Sequence, residues 1–219
     1  DDTLSGDCQN DLLLGGDGED SLTGGAGADI LAGGAGNDGV TLAGAGDIVM
    51  FNSGGGMDRL VMESGTESFT LSLGGGIDLE SLALVRSGDD LVLELAGSGG
   101  GCGKRGRNKP SDQILIEDWF ETDTLLRPQV TLQLISDASI QRYDLADIVA
   151  DLEMSNKSRW DAVDSALDAH LETSDGDALG GELAYRYGLG EDVSAMSLAA
   201  VLGNLRDPKL GMQPQSLGG

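Results

Sequence analysis

Six aspartates recur every nine residues within the first fifty positions of the chain. Carboxylate oxygens are the ligands that Ca²⁺ prefers, and the ion takes six to eight oxygens at about 2.3 to 2.6 Å. One short turn supplies too few oxygens for such a shell, whereas two stacked turns supply enough. We therefore predict calcium sites shared between stacked turns, with carboxylates from Asp2, Asp11, Asp20, Asp29, Asp38 and Asp47.

An aliphatic residue stands two positions after each of these aspartates. Side chains alternate between the two faces of a strand, so each aliphatic residue is expected to point into a core. We predict a parallel β-roll in which nine residues form half a coil and units eighteen residues apart stack. This stacking predicts that Asp11 shares an ion with Asp29, Asp20 with Asp38, and Asp29 with Asp47. The inward residues are Leu4, Leu13, Leu22, Leu31, Val40 and Val49.

The central units read GGDGEDSLT (15–23), GGAGADILA (24–32) and GGAGNDGVT (33–41). They match the glycine-rich nonapeptide that binds calcium in RTX proteins. The chain therefore resembles the RTX, or haemolysin-type calcium-binding, proteins that bacteria secrete. The resemblance implies that backbone carbonyls of the turns complete the calcium shell. The glycines implicated in this way are Gly16, Gly18, Gly25, Gly27, Gly34 and Gly36.

The composition is strongly acidic, with a formal net charge of −25. Residues 1–58 contain eleven acidic residues and no base. Nucleic acid is disfavoured as a partner, because binding it depends on cationic side chains that neutralise phosphates. A chain of this charge should repel itself into disorder without a cation. We therefore expect calcium ions to decide whether the roll folds, and folding to follow export into millimolar calcium.

The fold class that we predict is mainly β. A calcium-bound parallel β-roll (1–50) is followed by a β-rich capping domain (51–154) and a helical C-terminal tail (155–219). Trp119 and Phe120 follow a predicted strand, and the resemblance implies that they close the open end of the roll. The predicted strands after the repeats cover 48–52, 60–62, 69–73, 82–85, 91–95, 114–116 and 130–135.

A glycine-rich stretch at 97–112 interrupts the predicted hairpin between the strands at 91–95 and 114–116. We interpret it as a flexible insertion, with an electrostatic clasp onto the acidic roll or onto a partner as the alternative. It carries four of the thirteen bases of the chain, Lys104, Arg105, Arg107 and Lys109. Cys102 lies in the same stretch, and the sequence leaves open whether it pairs with Cys8.

Three helices are predicted in the tail, at 158–172, 177–187 and 194–206, from apolar spacing and capping residues. The segment GGELAYRYGLGEDVSAMSLAAVLGNL is similar to the tails of RTX proteins that leave the cell through a type I secretion system. This similarity implies a C-terminal secretion signal and a type I ABC transporter as a partner. No apolar run is long enough for a transmembrane helix, and no secretory signal peptide is recognised.

We find no enzyme motif in the sequence. His170 is the only histidine and falls within a predicted helix. The chain lacks the H-E-x-x-H motif of zinc proteases and the G-x-S-x-G motif of esterases. We therefore predict a protein module that is not an enzyme.

The function that we predict is that of a calcium-binding module at the C-terminal end of a secreted, extracellular bacterial protein. The module would fold on export and support type I secretion of the larger protein. Two alternatives stay open. The chain could be the tail of an RTX adhesin that contacts a surface or a cell, or the tail of a secreted protease, lipase or epimerase.

Overall fold

A computed structural model describes residues 1–77, 81–95, 112–121, 127–136, 139–154, 159–161, 171–173, 178–179, 181–191 and 193. The strands are β1 (Thr3–Ser5), β2 (Leu12–Asp17), β3 (Ser21–Thr23), β4 (Ile30–Ala35), β5 (Gly39–Leu42), β6 (Ala45–Asn52), β7 (Met57–Met62), β8 (Ser68–Gly74), β9 (Leu82–Ser87), β10 (Asp90–Leu95), β11 (Asp112–Ile116), β12 (Gln129–Ile135), β13 (Ile140–Asp144), β14 (Arg159–Asp161) and β15 (Leu171–Thr173). The helices are α1 (Leu145–Met154) and α2 (Gly181–Gly188).

Strands β1 to β8 alternate between two sheets, which is the arrangement of a flattened two-sided coil. One sheet has the order β1-β3-β5-β7-β11-β10-β9-β14, and the other has the order β15-β13-β12-β8-β6-β4-β2. The mainly β fold class and the parallel β-roll predicted from the sequence are confirmed.

Parallel pairing in the repeats follows an eighteen-residue register. Thr3 pairs with Ser21, and Ser21 pairs with Gly39, in the first sheet. Leu12 pairs with Ile30, and Ile30 with Ile48, in the second. Each nonapeptide is therefore half a coil, as its sequence period predicts.

The parallel ladders run past residue 50, where the sequence analysis placed the end of the roll. Gly39 pairs with Arg59 at a spacing of twenty residues, and Ile48 pairs with Thr70 at a spacing of twenty-two. Strands β11 and β12 add a further parallel layer to each sheet. The additional residues lie in longer turns, so the parallel coil continues beyond the point where the nonapeptide pattern ends.

The main core lies between the two sheets and contains the inward aliphatic residues that the period predicts. Leu22, Leu31, Val40 and Val49 are all buried there. Leu4 and Leu13 are partly buried against the same core, because they belong to the first coil of the described chain. All seven strands predicted after the repeats are confirmed.

A second apolar layer covers the outer face of the sheet that contains β4 and β6. Ile30 and Ile48 on that face pack with Leu183 and Ala184 of α2. The side chain of Gln133, which is fully buried, accepts the backbone N–H of Leu179 at 2.8 Å and donates to its carbonyl at 3.3 Å. The C-terminal part of the chain is thus anchored to the roll.

The helix predicted at 158–172 is wrong at both ends, where the chain forms β14 and β15. Strand β14 pairs with β9, and Arg159 forms an ion pair with Glu94 of β10, the strand on the other side of β9. An open sheet edge offers backbone hydrogen bonds, and this tertiary pairing overrides the helical spacing of the apolar residues. Residues 162–170, including His170, lie outside the described part of the chain.

Helix α1 was not predicted, although it begins in a standard way. Asp144 caps it by accepting the backbone N–H of Ala146 at 2.8 Å. An apolar stripe of the helix packs against the core and consists of Leu145, Ile148 and Val149. The second predicted helix, 177–187, corresponds to α2, and the third, 194–206, lies outside the described residues. Neither α1 nor α2 is long and apolar enough to cross a membrane.

Candidate calcium sites

Aspartates of successive coils are joined by a hydrogen bond from backbone to carboxylate. In each case the N–H of one aspartate donates to Oδ1 of the aspartate eighteen residues later. The three pairs predicted from the sequence are therefore brought together, and they form two ladders, one of Asp11, Asp29 and Asp47 and the other of Asp2, Asp20 and Asp38. The donor–acceptor distances are 2.6 Å for Asp2 and Asp20, 2.8 Å for Asp11 and Asp29, 2.8 Å for Asp20 and Asp38, and 3.0 Å for Asp29 and Asp47.

The second carboxylate oxygen of four of these aspartates is buried and lacks a hydrogen-bond partner. The four are Asp20, Asp29, Asp38 and Asp47, and none of them is more than 3% exposed. Burying a carboxylate without a compensating partner is costly, and buried charges are normally paired or bound to metal. Two such oxygens in each ladder, those of Asp20 and Asp38 and those of Asp29 and Asp47, therefore indicate that cations complete both.

An aspartate oxygen and a carbonyl oxygen of the next coil meet beside the first glycine of a repeat. A Cβ atom built on Gly15 would lie 2.5 Å from Oδ2 of Asp20 and 2.4 Å from the carbonyl oxygen of Gly33 in the next coil. A Cβ atom built on Gly6 would lie 2.5 Å from Oδ2 of Asp11 and 2.3 Å from the carbonyl oxygen of Gly24. Each turn therefore brings a carboxylate and a carbonyl of the next coil close together, and because these are the oxygen ligands that calcium takes, the residues present fit the ion.

The carbonyls of Gly24 and Gly33 were not among the predicted ligands. Both glycines occupy the first position of a nonapeptide, five residues before its aspartate. That fixed spacing was available in the sequence. It does not indicate, however, which carbonyl of a turn points at the carboxylate of the neighbouring coil.

The six predicted glycines all lie in the turns with positive φ, between 93° and 151°. The carbonyl oxygens of Gly16 and Gly18 point at the Cα atoms of Gly34 and Gly36 in the next coil and leave no room for a side chain there. Their role as carbonyl ligands of calcium stays a prediction. The glycines in question are Gly16, Gly18, Gly25, Gly27, Gly34 and Gly36.

The carboxylates are spread along the stack and do not form a cluster. Within the described ranges, no three His, Cys, Asp or Glu side chains come together in a way that could hold a metal ion. Calcium would therefore take one or two carboxylates and several backbone carbonyls at each step. Such a shell suits a hard cation that accepts many neutral oxygens.

Burial raises the pKa of the inner carboxyl groups above the usual value for aspartate. The pKa values of Asp29 and Asp38 are raised mainly by burial, and the backbone N–H groups of Asp11 and Asp20 oppose the shift. Burial raises the pKa of Asp47 and of Asp58 to about 7. Without calcium, Asp47 and Asp58 are thus partly protonated near neutral pH.

These shifts predict how the stability of the calcium-free chain depends on pH. An unfolded aspartate loses its proton near 3.8, whereas folded Asp47 and Asp58 keep theirs up to about 7. The folded state binds more protons between these values, so the free energy of unfolding falls as pH rises through this window.

After calcium is stripped on a chelating resin, the strand signal in the far-UV circular dichroism spectrum is expected to be larger at about pH 5 than at about pH 8. Asp47→Asn should reduce the difference, because the amide does not titrate. A strand signal that grows with pH in the stripped protein would contradict this expectation.

Trp119 and Phe120 lie at the end of β11, next to the main core. Trp119 is fully buried, and Phe120 is partly buried against the same core. The guanidinium of Arg127 lies 5.7 Å from the centre of the Trp119 ring and pairs with Glu153 of α1 at 3.2 Å. Their role in closing the roll stays a prediction.

The insertion lies outside the described residues from 97 to 111, and its last residue, Asp112, begins β11. Cys102 falls in the part that is not described, and Cys8 is exposed in a turn of the roll. The flexibility of the insertion and the pairing of these two cysteines therefore stay open.

Residues 5–40 match the family model of the RTX calcium-binding nonapeptide repeat, in four copies. The match covers the three units with full glycine turns and four of the six repeat aspartates, Asp11, Asp20, Asp29 and Asp38. RTX nonapeptide repeats bind calcium ions and are a non-catalytic module of type I secreted proteins. No curated protein matches the chain.

Proposed function

Residues 5–40 make this chain an RTX repeat protein, and from that premise we propose that it is a calcium-dependent folding and export module. The module folds when it meets calcium outside the cell. It has no catalytic role of its own and supports the type I secretion of a larger protein to which it belongs. RTX repeat proteins are typically secreted, which fits an extracellular site of action.

The observation that carries this proposal is the set of four buried carboxylate oxygens without partners in the two aspartate ladders, in Asp20, Asp29, Asp38 and Asp47. Residues 1–58 supply no base that could neutralise these carboxylates. A calcium ion bound between the coils neutralises these carboxylates and is also coordinated by carbonyl oxygens of the turns. The carboxylate ligands of calcium in this proposal are Asp2, Asp11, Asp20, Asp29, Asp38 and Asp47.

The difference in free calcium concentration between the cytosol and the outside of the cell determines where the module folds. Extracellular calcium modules often bind with dissociation constants of about 10⁻⁴ to 10⁻³ M, and free calcium in the cytosol lies far below that range. The acidic roll therefore stays unfolded before export, in the state that a narrow transporter channel can accept. Folding follows on the outside, where calcium is abundant.

The C-terminal tail contributes the export address in this proposal. The partner is a type I ABC transporter, which the resemblance of the tail implies. Because α2 packs on the roll in the folded chain, we expect this part of the tail to be exposed in the unfolded chain and buried after folding. A tail of that kind would be available to the transporter only before calcium is met.

An export assay tests the proposal. A passenger protein fused ahead of the chain is expected to reach the medium through a bacterial type I secretion system, and removal of residues 155–219 should abolish that export. A variant with Asp20→Asn and Asp38→Asn serves as the matched control. It keeps the tail, so the passenger should still be exported, but the exported roll should remain sensitive to protease in calcium. Export that does not change when 155–219 is removed would refute the role in secretion.

A further inference from the structure

We propose that the outer face of the sheet that contains β2, β4 and β6 is a docking surface for residues 194–206 of this chain. The inference rests on the proposed calcium-dependent folding and extends it, because the surface exists only when the coils are stacked. It gives the part of the chain that follows Val193 a defined place on the roll.

The two sheets of the roll differ in the polarity of their outer faces. In each repeat unit, the residues on either side of the inward aliphatic residue point away from the core. In β1, β3 and β5 these outward residues are Thr3, Ser5, Ser21, Thr23, Gly39 and Thr41. In β2, β4 and β6 they are Leu12, Leu14, Ile30, Ala32, Ile48 and Met50. The roll therefore has one polar and one apolar outer face.

The apolar outer face extends farther than the part of it that α2 covers. Its residues on β4 and β6 are buried, and each is at most 2% exposed. They pack in one cluster with Leu179, Leu183, Ala184 and Val193. Leu12 and Leu14 of β2 belong to the same cluster but are only partly buried. Helix α2 contacts mainly β6 and β8, so the side of the face near β2 can accept a further apolar segment.

The position of Val193 points to the occupant of this face. Val193 is 8% exposed and lies within the apolar cluster, so the chain that follows it starts on the face itself. Residues 194–206 read SAMSLAAVLGNLR, and their apolar spacing predicts a helix with one apolar stripe. A helix this short is marginal in water by itself and needs a surface to pack on. The predicted stripe consists of Leu198, Val201, Leu202 and Leu205.

The charge and the length of the segment also suit the apolar face. Residues 194–206 contain no acidic residue and one base, Arg206, in a chain of net charge −25. The segment is therefore not repelled by the acidic roll. A helix of this length spans about 20 Å, whereas β2 and β6 are separated by two strand spacings, or about 10 Å. One helix is thus long enough to cover the outward residues of all three strands.

One aspartate ladder aligns the residues of this face. Ile30 directly follows Asp29, and Ile48 directly follows Asp47. The N–H of Ile30 donates to the carbonyl of Asp11 at 2.8 Å, and the N–H of Ile48 donates to that of Asp29 at 2.7 Å. The coils that calcium holds together therefore also bring the outward apolar residues into one continuous surface, and docking of 194–206 depends on calcium through this ladder.

Hydrogen exchange of the full chain, followed by mass spectrometry, tests the docking. The amides of 194–206 are expected to exchange slowly in calcium and as fast as an unfolded peptide in EGTA. The double variant Leu12→Ser, Leu14→Thr gives β2 the outward residues that β3 has in Ser21 and Thr23, so the roll should still fold. Exchange of 194–206 in calcium should then become about tenfold faster, because two apolar contacts are lost. Ser5→Ala, Thr23→Ala on the polar outer face is the matched control and should change nothing.

The amides of 30–50 report on the roll in the same experiment. If they exchange equally fast in calcium and in EGTA in the wild type, the proposed calcium-dependent folding is refuted. If they are protected by calcium while 194–206 is not, the roll stands and only the docking is refuted. Equal protection of 194–206 in the wild type and in Leu12→Ser, Leu14→Thr would also refute the docking.

A variant of the segment itself decides the question should the β2 variant fail to fold. Leu198→Ala, Leu202→Ala keeps the helix propensity of the segment and leaves the roll unchanged. It should also speed exchange of 194–206 in calcium, and unchanged exchange would overturn the inference. Sedimentation of the wild type in calcium tests the rival occupant, a second copy of the chain. A dimer that Leu12→Ser, Leu14→Thr converts to a monomer would assign the face to that copy and overturn the inference.

Discussion

Removal of calcium with EGTA is expected to abolish most of the strand signal in the far-UV circular dichroism spectrum, and added calcium should restore it. The physical reason is the set of buried carboxylate oxygens of Asp20, Asp29, Asp38 and Asp47, which have no protein partner in the roll. Without a cation, these groups must either be protonated or remain buried as uncompensated charges. Both conditions disfavour the folded state at neutral pH.

The size of the effect follows from the linkage between binding and folding. A ligand present at ten times its dissociation constant stabilises the folded state by roughly 1.4 kcal/mol per site. Three sites would contribute ~4 kcal/mol, against ~5 to 15 kcal/mol for the stability of an ordinary domain. Calcium can therefore decide whether this acidic, glycine-rich chain folds at all.

Magnesium is the matched control for this experiment. Mg²⁺ demands near-ideal octahedral geometry and gives up its water reluctantly, so it should fail to restore the spectrum at the same concentration. Full strand content in EGTA, or equal recovery with magnesium, would contradict a calcium-dependent roll.

Asp29→Ala is expected to weaken more than one calcium site, because Asp29 stands in the middle of its ladder. Its Oδ1 accepts the N–H of Asp11 at 2.8 Å, and its own N–H donates to Asp47 at 3.0 Å. The residue is fully buried, and its Oδ2 has no partner. The lost hydrogen bond to a charged group costs about 1.5 to 3 kcal/mol, and each lost ion costs a further ~1.4 kcal/mol.

Terbium titration and calcium-dependent urea melts measure this effect. Asp29→Asn separates the two causes, because the amide keeps an acceptor for Asp11 but lacks the charge. Asp17→Ala is the control within the repeats, since Asp17 lies exposed in a turn and outside the ladder. If Asp29→Ala binds as many ions as the wild type, our assignment of shared pairs is wrong.

The repeats could be predicted because one period fixes both the strand register and the turn chemistry. An aspartate and an inward aliphatic residue recur at a fixed spacing in six successive units. This pattern allows one regular stacking of the units, and strands β1 to β6 follow it. Beyond residue 50 the spacing changes to twenty and twenty-two residues. The turns there vary in length, so the period disappears from the sequence although the parallel pairing goes on. Asp58 accepts the N–H of Asp38 at 2.9 Å and so continues a ladder, but it follows Asp38 by twenty residues and lies outside the period of nine.

The errors near the C-terminus have a different origin. The apolar spacing at 158–172 is helical, but β14 completes the edge of a sheet whose other strands are far away in sequence. Local spacing carries no information about such a distant edge. The same limit applies to the carbonyls of Gly24 and Gly33, because their orientation depends on the coil stacked above them.

The packing of α2 on the roll has a consequence for the kinetics of folding. Asn52 and Tyr187, which are hydrogen-bonded, lie 135 residues apart in the chain. Contacts of such long range slow folding, because the loop between them must close before they contribute. Helix α2 leaves the ribosome long after β4 and β6 do, so the outer face of these two strands stays uncovered until then. The native packing on this face is therefore reached only after α2 has been synthesised.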